Sequence, residues 1–262
     1  MSAPLKSPKK LIEELGIIEP SEIDIEAIAQ YCSATVLYEP LRGCEARIVG
    51  NQERAIITVN AKSSRTRQRF SAAHELGHWM QDRNRIGFSC TEDAFISEWR
   101  SDNPERLANR FAADLLLPPH MFQMYARNLP LVFDSVRSLA SVFETSLTAT
   151  AIRLVELGSY PGMIIYLVEG HRRWFISGPD IPPALWPRES PKRASIAWEL
   201  ANDIRADLGP TDVQADSWLE HPRSQWYELV EDSVPISRSA VLTLLWWKNE
   251  KQLLDLTRDG DE

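Results

Sequence analysis

The feature that most restricts this chain is a pair of histidines four residues apart, His74 and His78, within the stretch 70–80, FSAAHELGHWM. A helix turns about 100° and rises about 1.5 Å per residue. Four residues therefore return His78 to the face of His74, about one turn along, where two imidazoles can grip one small cation. Glu75 stands about 100° round from His74, beside such a cation rather than on it, which is the place for a general base acting on a metal-activated water. The neighbours favour a helix: Ala72, Ala73, Leu76, Trp79 and Met80 are apolar, and no proline lies between Lys62 and Asn103. Gly77 costs the helix up to about 1 kcal/mol against alanine, and it leaves open space on the helix surface for a substrate or a close neighbour. The chain has only 5 His in 262 residues. At that frequency the pattern arises by chance in roughly one such chain in a hundred, so two incidental histidines on a surface helix are the weaker account.

Catalytic zinc takes three protein ligands and leaves its fourth position to water, and this motif supplies two. A metzincin would need glycine at position 81 and histidine at 84, where the chain has Gln81 and Asn84. The third ligand must come from a later element, and the candidates are Cys90, Glu92, Asp93, Glu98, Asp102, Glu105, Asp114 and His120. Glu105 lies near the start of a strong helix whose apolar face, Leu107, Phe111 and Leu115, must dock on something. A docked helix holds a carboxylate rigidly, although an acid in a first turn also simply suits the helix dipole.

The rest of the chain bounds the setting. A chain of 262 residues that is 44% hydrophobic can build one large or two small domains with real cores. No run approaches the about 18 apolar residues of a membrane span, and the start, MSAPLKSPKKLIEELG, lacks the apolar run of a signal peptide. Three cysteines, Cys32, Cys44 and Cys90, are too few and too odd in number for a disulfide framework, so the expected location is the reducing cytoplasm. The net charge of −8 argues against a broad nucleic-acid surface.

Along the chain, residues 1–20 read as a flexible lead-in. Residues 21–31 carry Ile23, Ile25, Ile28 and Ala29 at helical spacing, with Ser21 as N-cap. Strands are expected at 34–38, 46–50 and 55–59, with a turn over 51–54 between the last two. The motif helix spans 65–82, and 84–103 is polar and irregular. Pro104 opens the next helix, which Pro118 and Pro119 stop. Helices follow at 134–143 and 147–157. Beyond Pro161 the pattern changes to a hairpin about Glu169-Gly170, further strands at 213–219, 226–230 and 240–247, and a helix over 192–206. Seven of the 9 Trp lie between Trp174 and Trp247, a density that suits a core. No internal repeat or low-complexity tract is present.

Two stretches together, RQRFSAAHELGHWM and ERLANRFAADLLLP, resemble the ImmA/IrrE family of zinc metallopeptidases, over about residues 20–160. Ser71-Ala72 departs from the family pattern, in which threonine and an aliphatic residue are commoner, without touching the metal positions. The resemblance implies an α+β fold: a mostly helical, thermolysin-like zincin domain with a small N-terminal sheet over 21–130. A helix-turn-helix-like pair at 131–160 and a C-terminal α+β module at 161–262, faintly similar to sensors of the GAF kind, would follow. It implies Zn2+ held by His74, His78 and Glu105, with Glu75 as catalytic base, and a helix-turn-helix repressor as the protein substrate. Tyr125 and His120 are weak candidates for steadying the oxyanion. Asn109, four residues after Glu105, would orient the site.

Three readings compete: a zinc endopeptidase with a narrow protein substrate, a zinc-containing regulator that binds a repressor or toxin without cutting, and a DNA-binding regulator. The second helix of the pair offers Arg153 alone, with Glu156 nearby, which is poor in the cations that DNA needs. The basic run Lys62, Arg65, Arg67 and Arg69 opposes the helix dipole and is either a solvated face or a dock for an acidic partner segment.

Overall fold

A computed structural model of the chain describes residues 6–51, 53–81, 83, 103–204 and 209–257, and the backbone of 88–90. By contacts it divides into two compact units, Met1–Phe122 with Ala140–Ser146, and Gln123–Leu139 with Leu147–Glu262.

The first unit holds helices α1 (Pro8–Glu14), α2 (Ile25–Tyr31), α3 (Arg65–Gln81) and α4 (Pro104–Leu116), and strands β1 (Ala34–Glu39), β2 (Ala46–Gly50), β3 (Ala55–Asn60) and β4 (Phe88–Cys90). The lead-in expected over 1–20 is corrected by α1. Ser7 caps this helix, Leu11 and Ile12 are buried, and it packs on α4. Ser21 is likewise not a cap. It lies in a short 3-10 turn, Pro20–Glu22, and Asp24 caps α2, its Oδ1 accepting from Ala27 N–H at 3.0 Å. The sheet runs β1-β3-β2-β4, with β1 parallel to β3 and the other pairs antiparallel. The turn between β2 and β3 is built on Asn51, whose Oδ1 accepts from Glu53 and Arg54 N–H. Strand alternation sends Ile48, Ile57 and Val59 inward, while Val49 and Ile56 face solvent. Helix α3 packs on this sheet and on α4.

Helices α5 (Pro119–Ala126), α6 (Phe133–Phe143) and α7 (Leu147–Leu157) follow. The second unit then adds β5 (Gly162–Val168), β6 (His171–Ser177), α8 (Ile196–Ala201), β7 (Thr211–Gln214), β8 (Glu228–Ser237), β9 (Ala240–Trp246) and α9 (Lys251–Thr257). Its sheet is antiparallel throughout, in the order β6-β5-β9-β8-β7. The β5–β6 hairpin turns at Glu169 and Gly170, both at positive φ, as a two-residue turn matched to strand twist requires. Helix α7, expected as half of a helical pair ahead of this module, packs on β5 and β6. Of the seven tryptophans here, Trp218 and Trp247 are fully buried, while Trp186 and Trp226 are 59% and 69% exposed. The expected tryptophan core is therefore only partly one.

Strand β8 carries two buried acids in succession, and the period of two sends them to opposite faces. Glu231 accepts from Ala197 N–H on α8 at 2.7 Å, from Trp218 Nε1–H at 2.8 Å and from Ser233 Oγ–H at 2.8 Å. Asp232 accepts from Phe133 N–H, at the start of α6, at 2.6 Å. Burial raises both carboxyls above their ordinary values, against the pull of those donors. The folded chain therefore holds these protons to higher pH than the unfolded chain does. The contribution of Glu231 to stability falls as pH rises from its ordinary 4.5 through the raised folded value. Thermal unfolding across pH should show that fall, and Glu231→Gln should flatten it, whatever offset the amide adds at every pH.

Candidate metal centre

Ser64 directly precedes helix α3, and its Oγ accepts from Arg67 N–H in the first turn. Every residue from Ser71 to Met80 is buried. A helix buried all round is a core element, not a surface one, which removes the account of two incidental surface histidines. His74 and Glu75 are each 0% exposed and His78 4%. Three ionisable groups on one buried turn are costly unless they are paired or coordinate an ion.

The second side of the centre comes from α4. Asn103 caps it through Oδ1, which accepts from Glu105 N–H at 3.0 Å. Its docked face is Ala108, Phe111, Ala112 and Leu115, at the i, i+3, i+4, i+7 spacing of a helix stripe. The face expected from sequence needs one correction: Leu107 is 50% exposed, because it lies about 100° off that stripe.

The two helices bring three side chains together. His74 Nε2 and His78 Nε2 are 3.1 Å apart, His74 Nε2 lies 3.2 Å from Glu105 Oε2, and His78 Nε2 lies 3.3 Å from Glu105 Oε1. The imidazole planes are nearly perpendicular, at 83°. His74 Nδ1 sits 2.9 Å from Asn109 Oδ1. An amide oxygen only accepts, so Nδ1 carries the proton and the lone pair of neutral His74 is on Nε2, facing the other two groups. Two ligands of a tetrahedral zinc ion, each about 2.0–2.1 Å from it, stand about 3.3 Å apart. The donor set, two imidazole nitrogens and a carboxylate at this spacing, therefore fits that ion.

Among the described residues this is the one group of three or more potential ligands. Asp114 pairs instead with Arg110, Oδ2 to Nε at 3.0 Å. His120 and Tyr125 lie on α5 and do not belong to the group. Glu92, Asp93, Glu98, Asp102 and the Cys90 side chain fall outside the described residues. Of the two uses that the sequence left open for the space at Gly77, a substrate or a close neighbour, the structure shows the second. The open side of Gly77 is filled by α4, and a Cβ there would meet Ala108 Cα at 3.0 Å.

The basic run at the start of α3 is largely satisfied within its own unit. Arg65 reaches Glu144 at 3.1 Å, Arg69 reaches the same carboxylate at 3.5 Å, and Arg67 reaches Glu45 at 3.7 Å. Burial draws Arg69 below its usual value, with Glu144 opposing. On α7, Arg153 is buried and pairs with Glu156 at 3.3 Å, so it offers no cation to DNA. No helix among the described residues is long and apolar enough to cross a membrane.

An α+β chain with two buried histidines and a carboxylate poised about one point is a candidate metal-dependent hydrolase. Residues 29–155 match the family model Peptidase_M78, described as the IrrE N-terminal-like domain, and this stretch belongs to the ImmA/IrrE family that its two motifs resemble. A solved structure, described as a "Mycobacterium tuberculosis transcriptional regulator", shares the fold, with a TM-score of 0.58 and 12% identity over 97% of this chain and 79% of that one. No curated protein matches the chain.

Proposed function

We propose that the protein is a zinc-dependent endopeptidase that cuts a specific protein substrate, a helix-turn-helix repressor being the one the family resemblance implies. The observation that carries this reading is the triangle of His74 Nε2, His78 Nε2 and the Glu105 carboxylate, with edges of 3.1–3.3 Å, inside a domain of a peptidase family. His74, His78 and Glu105 would hold the ion, and Asn109 keeps His74 in the tautomer that can bind it. Zinc, when bound, supplies a Lewis acid that brings the ionisation of a water to about pH 7 and polarises a carbonyl. Glu75, beside His74 on the same buried helix, takes the proton of the attacking water and delivers it to the leaving amine nitrogen. The C-terminal sheet and its helices would serve as a regulatory module, in keeping with its faint likeness to GAF-type sensors.

A second reading is a zinc-containing regulator that holds a repressor or toxin without cutting it. The likeness in fold to a Mycobacterium tuberculosis transcriptional regulator favours it. The buried Arg153 makes a DNA-reading role for α7 weaker than either. The test is incubation with helix-turn-helix repressors encoded beside the gene, with and without a chelator. A single cut that the chelator abolishes supports the peptidase. Repressor release without any cut moves the assignment to the regulator.

A further inference from the structure

The two helices of the metal centre approach each other most closely at Gly77. A Cβ on this residue would lie 3.0 Å from Ala108 Cα, 3.1 Å from Ala108 O and 3.1 Å from Phe111 Cβ. Two of these atoms are backbone and the third is the stiff root of a side chain. None is the far end of a flexible side chain, so a methyl group at position 77 requires the α3–α4 contact to give by a few tenths of an ångström. The contact residue, Ala108, stands between the two α4 side chains that reach the histidines. Glu105 lies three residues before it, about 60° round the helix, and Asn109 follows it directly. A shift of α4 at Ala108 is therefore carried to both.

We propose that Gly77 is a positioning residue of the metal centre: its missing side chain sets the α3–α4 separation that places Glu105 and Asn109 against His74 and His78. The proposal rests on the metal-centre reading above. Its force comes from tolerance, since metal–ligand distances hold to within about 0.2 Å and the displacement is of that size or larger. Alanine is the better helix former, so the substitution improves α3 as a helix while spoiling the site. That opposition separates positioning from folding.

The test compares the full-length wild type and Gly77→Ala in three measurements: thermal unfolding of the metal-free proteins, zinc affinity by competition with a chromophoric chelator, and the visible spectrum with cobalt(II) in place of zinc. The expected result is a metal-free melting temperature at or near that of the wild type. Zinc affinity falls by at least about ten-fold, the scale on which supports of a metal ligand act, and the intense band of four-coordinate cobalt is weakened. A Gly77→Ala protein with unchanged affinity and spectrum overturns the proposal. So does one that fails to fold, because Gly77 is then a requirement of the fold rather than of the site. A wild type that takes up neither zinc nor cobalt overturns the metal-centre reading itself, and the positioning role with it.

Discussion

Glu75→Gln should leave a protein that keeps its zinc, binds its substrate and cuts it about 10²–10⁴-fold more slowly, the range for loss of a general base. Glutamine preserves the size of the side chain and removes only the oxygen that takes up a proton. The residue lies one position from His74, about 100° round the helix, so it stands beside the histidine pair rather than in line with it. The substitution therefore leaves the three proposed ligands untouched. Zinc content, cleavage on a gel and release of a repressor from DNA can be read on one preparation. Full zinc with lost cleavage supports the catalytic role. Release that proceeds at the wild-type rate in an uncleaving Glu75→Gln protein would sink the peptidase reading and leave the non-cutting regulator.

Glu105→Ala should empty the centre. It leaves His74 and His78 alone, two ligands where a stable zinc site takes at least three from the protein, and zinc should be lost on dialysis. Asp114→Ala and His120→Ala should both retain it, the first because Asp114 is engaged with Arg110, the second because His120 lies outside the ligand group. Metal analysis that finds full zinc in the Glu105→Ala protein would reject Glu105 and return the acids of 92–102 to consideration. Stability need not fall in step. The Glu105 side chain is a quarter exposed, so its truncation opens no closed cavity in a packed core.

Much of this was legible in the sequence because it rests on local signals. The histidine spacing and the proline-free stretch mark α3. Pro104 marks the start of α4, and short apolar runs mark β1 to β3. Pro118-Pro119 was legible only as a stop, yet Pro119 opens α5, as a proline in a first helical turn can. Strand β8 was cut short at Val230 for a different reason. Its continuation, Glu231-Asp232-Ser233-Val234-Pro235, has the composition of a loop. It runs as a strand because backbone and indole N–H groups, from Ala197, Phe133 and Trp218, satisfy the two acids. Pro235 is tolerated beside a register shift, beyond the reach of β7. Such donors come from 99 residues away in one case, and no window of sequence holds both partners. The centre divides in the same way. The histidines were legible from spacing alone. Glu105 came from the family resemblance, since spacing left eight candidates. The role of Gly77 needed α4 in place, because an absent side chain says nothing about which neighbour requires its absence.

The first unit is not a continuous length of chain. It takes Ala140–Ser146 from beyond Gln123–Leu139, which belongs to the second unit, so the backbone passes between the two three times. This limits how such a protein can be shuffled in evolution. A single genetic crossover after residue 122 keeps His74, His78 and Glu105 but discards Glu144, the partner of Arg65 and Arg69. A crossover after residue 146 keeps that pair and strands α6 without Asp232, which holds its first N–H. Neither junction yields a clean cassette: each separates the unit that carries the candidate metal centre, or α6, from a partner on the other side of the cut.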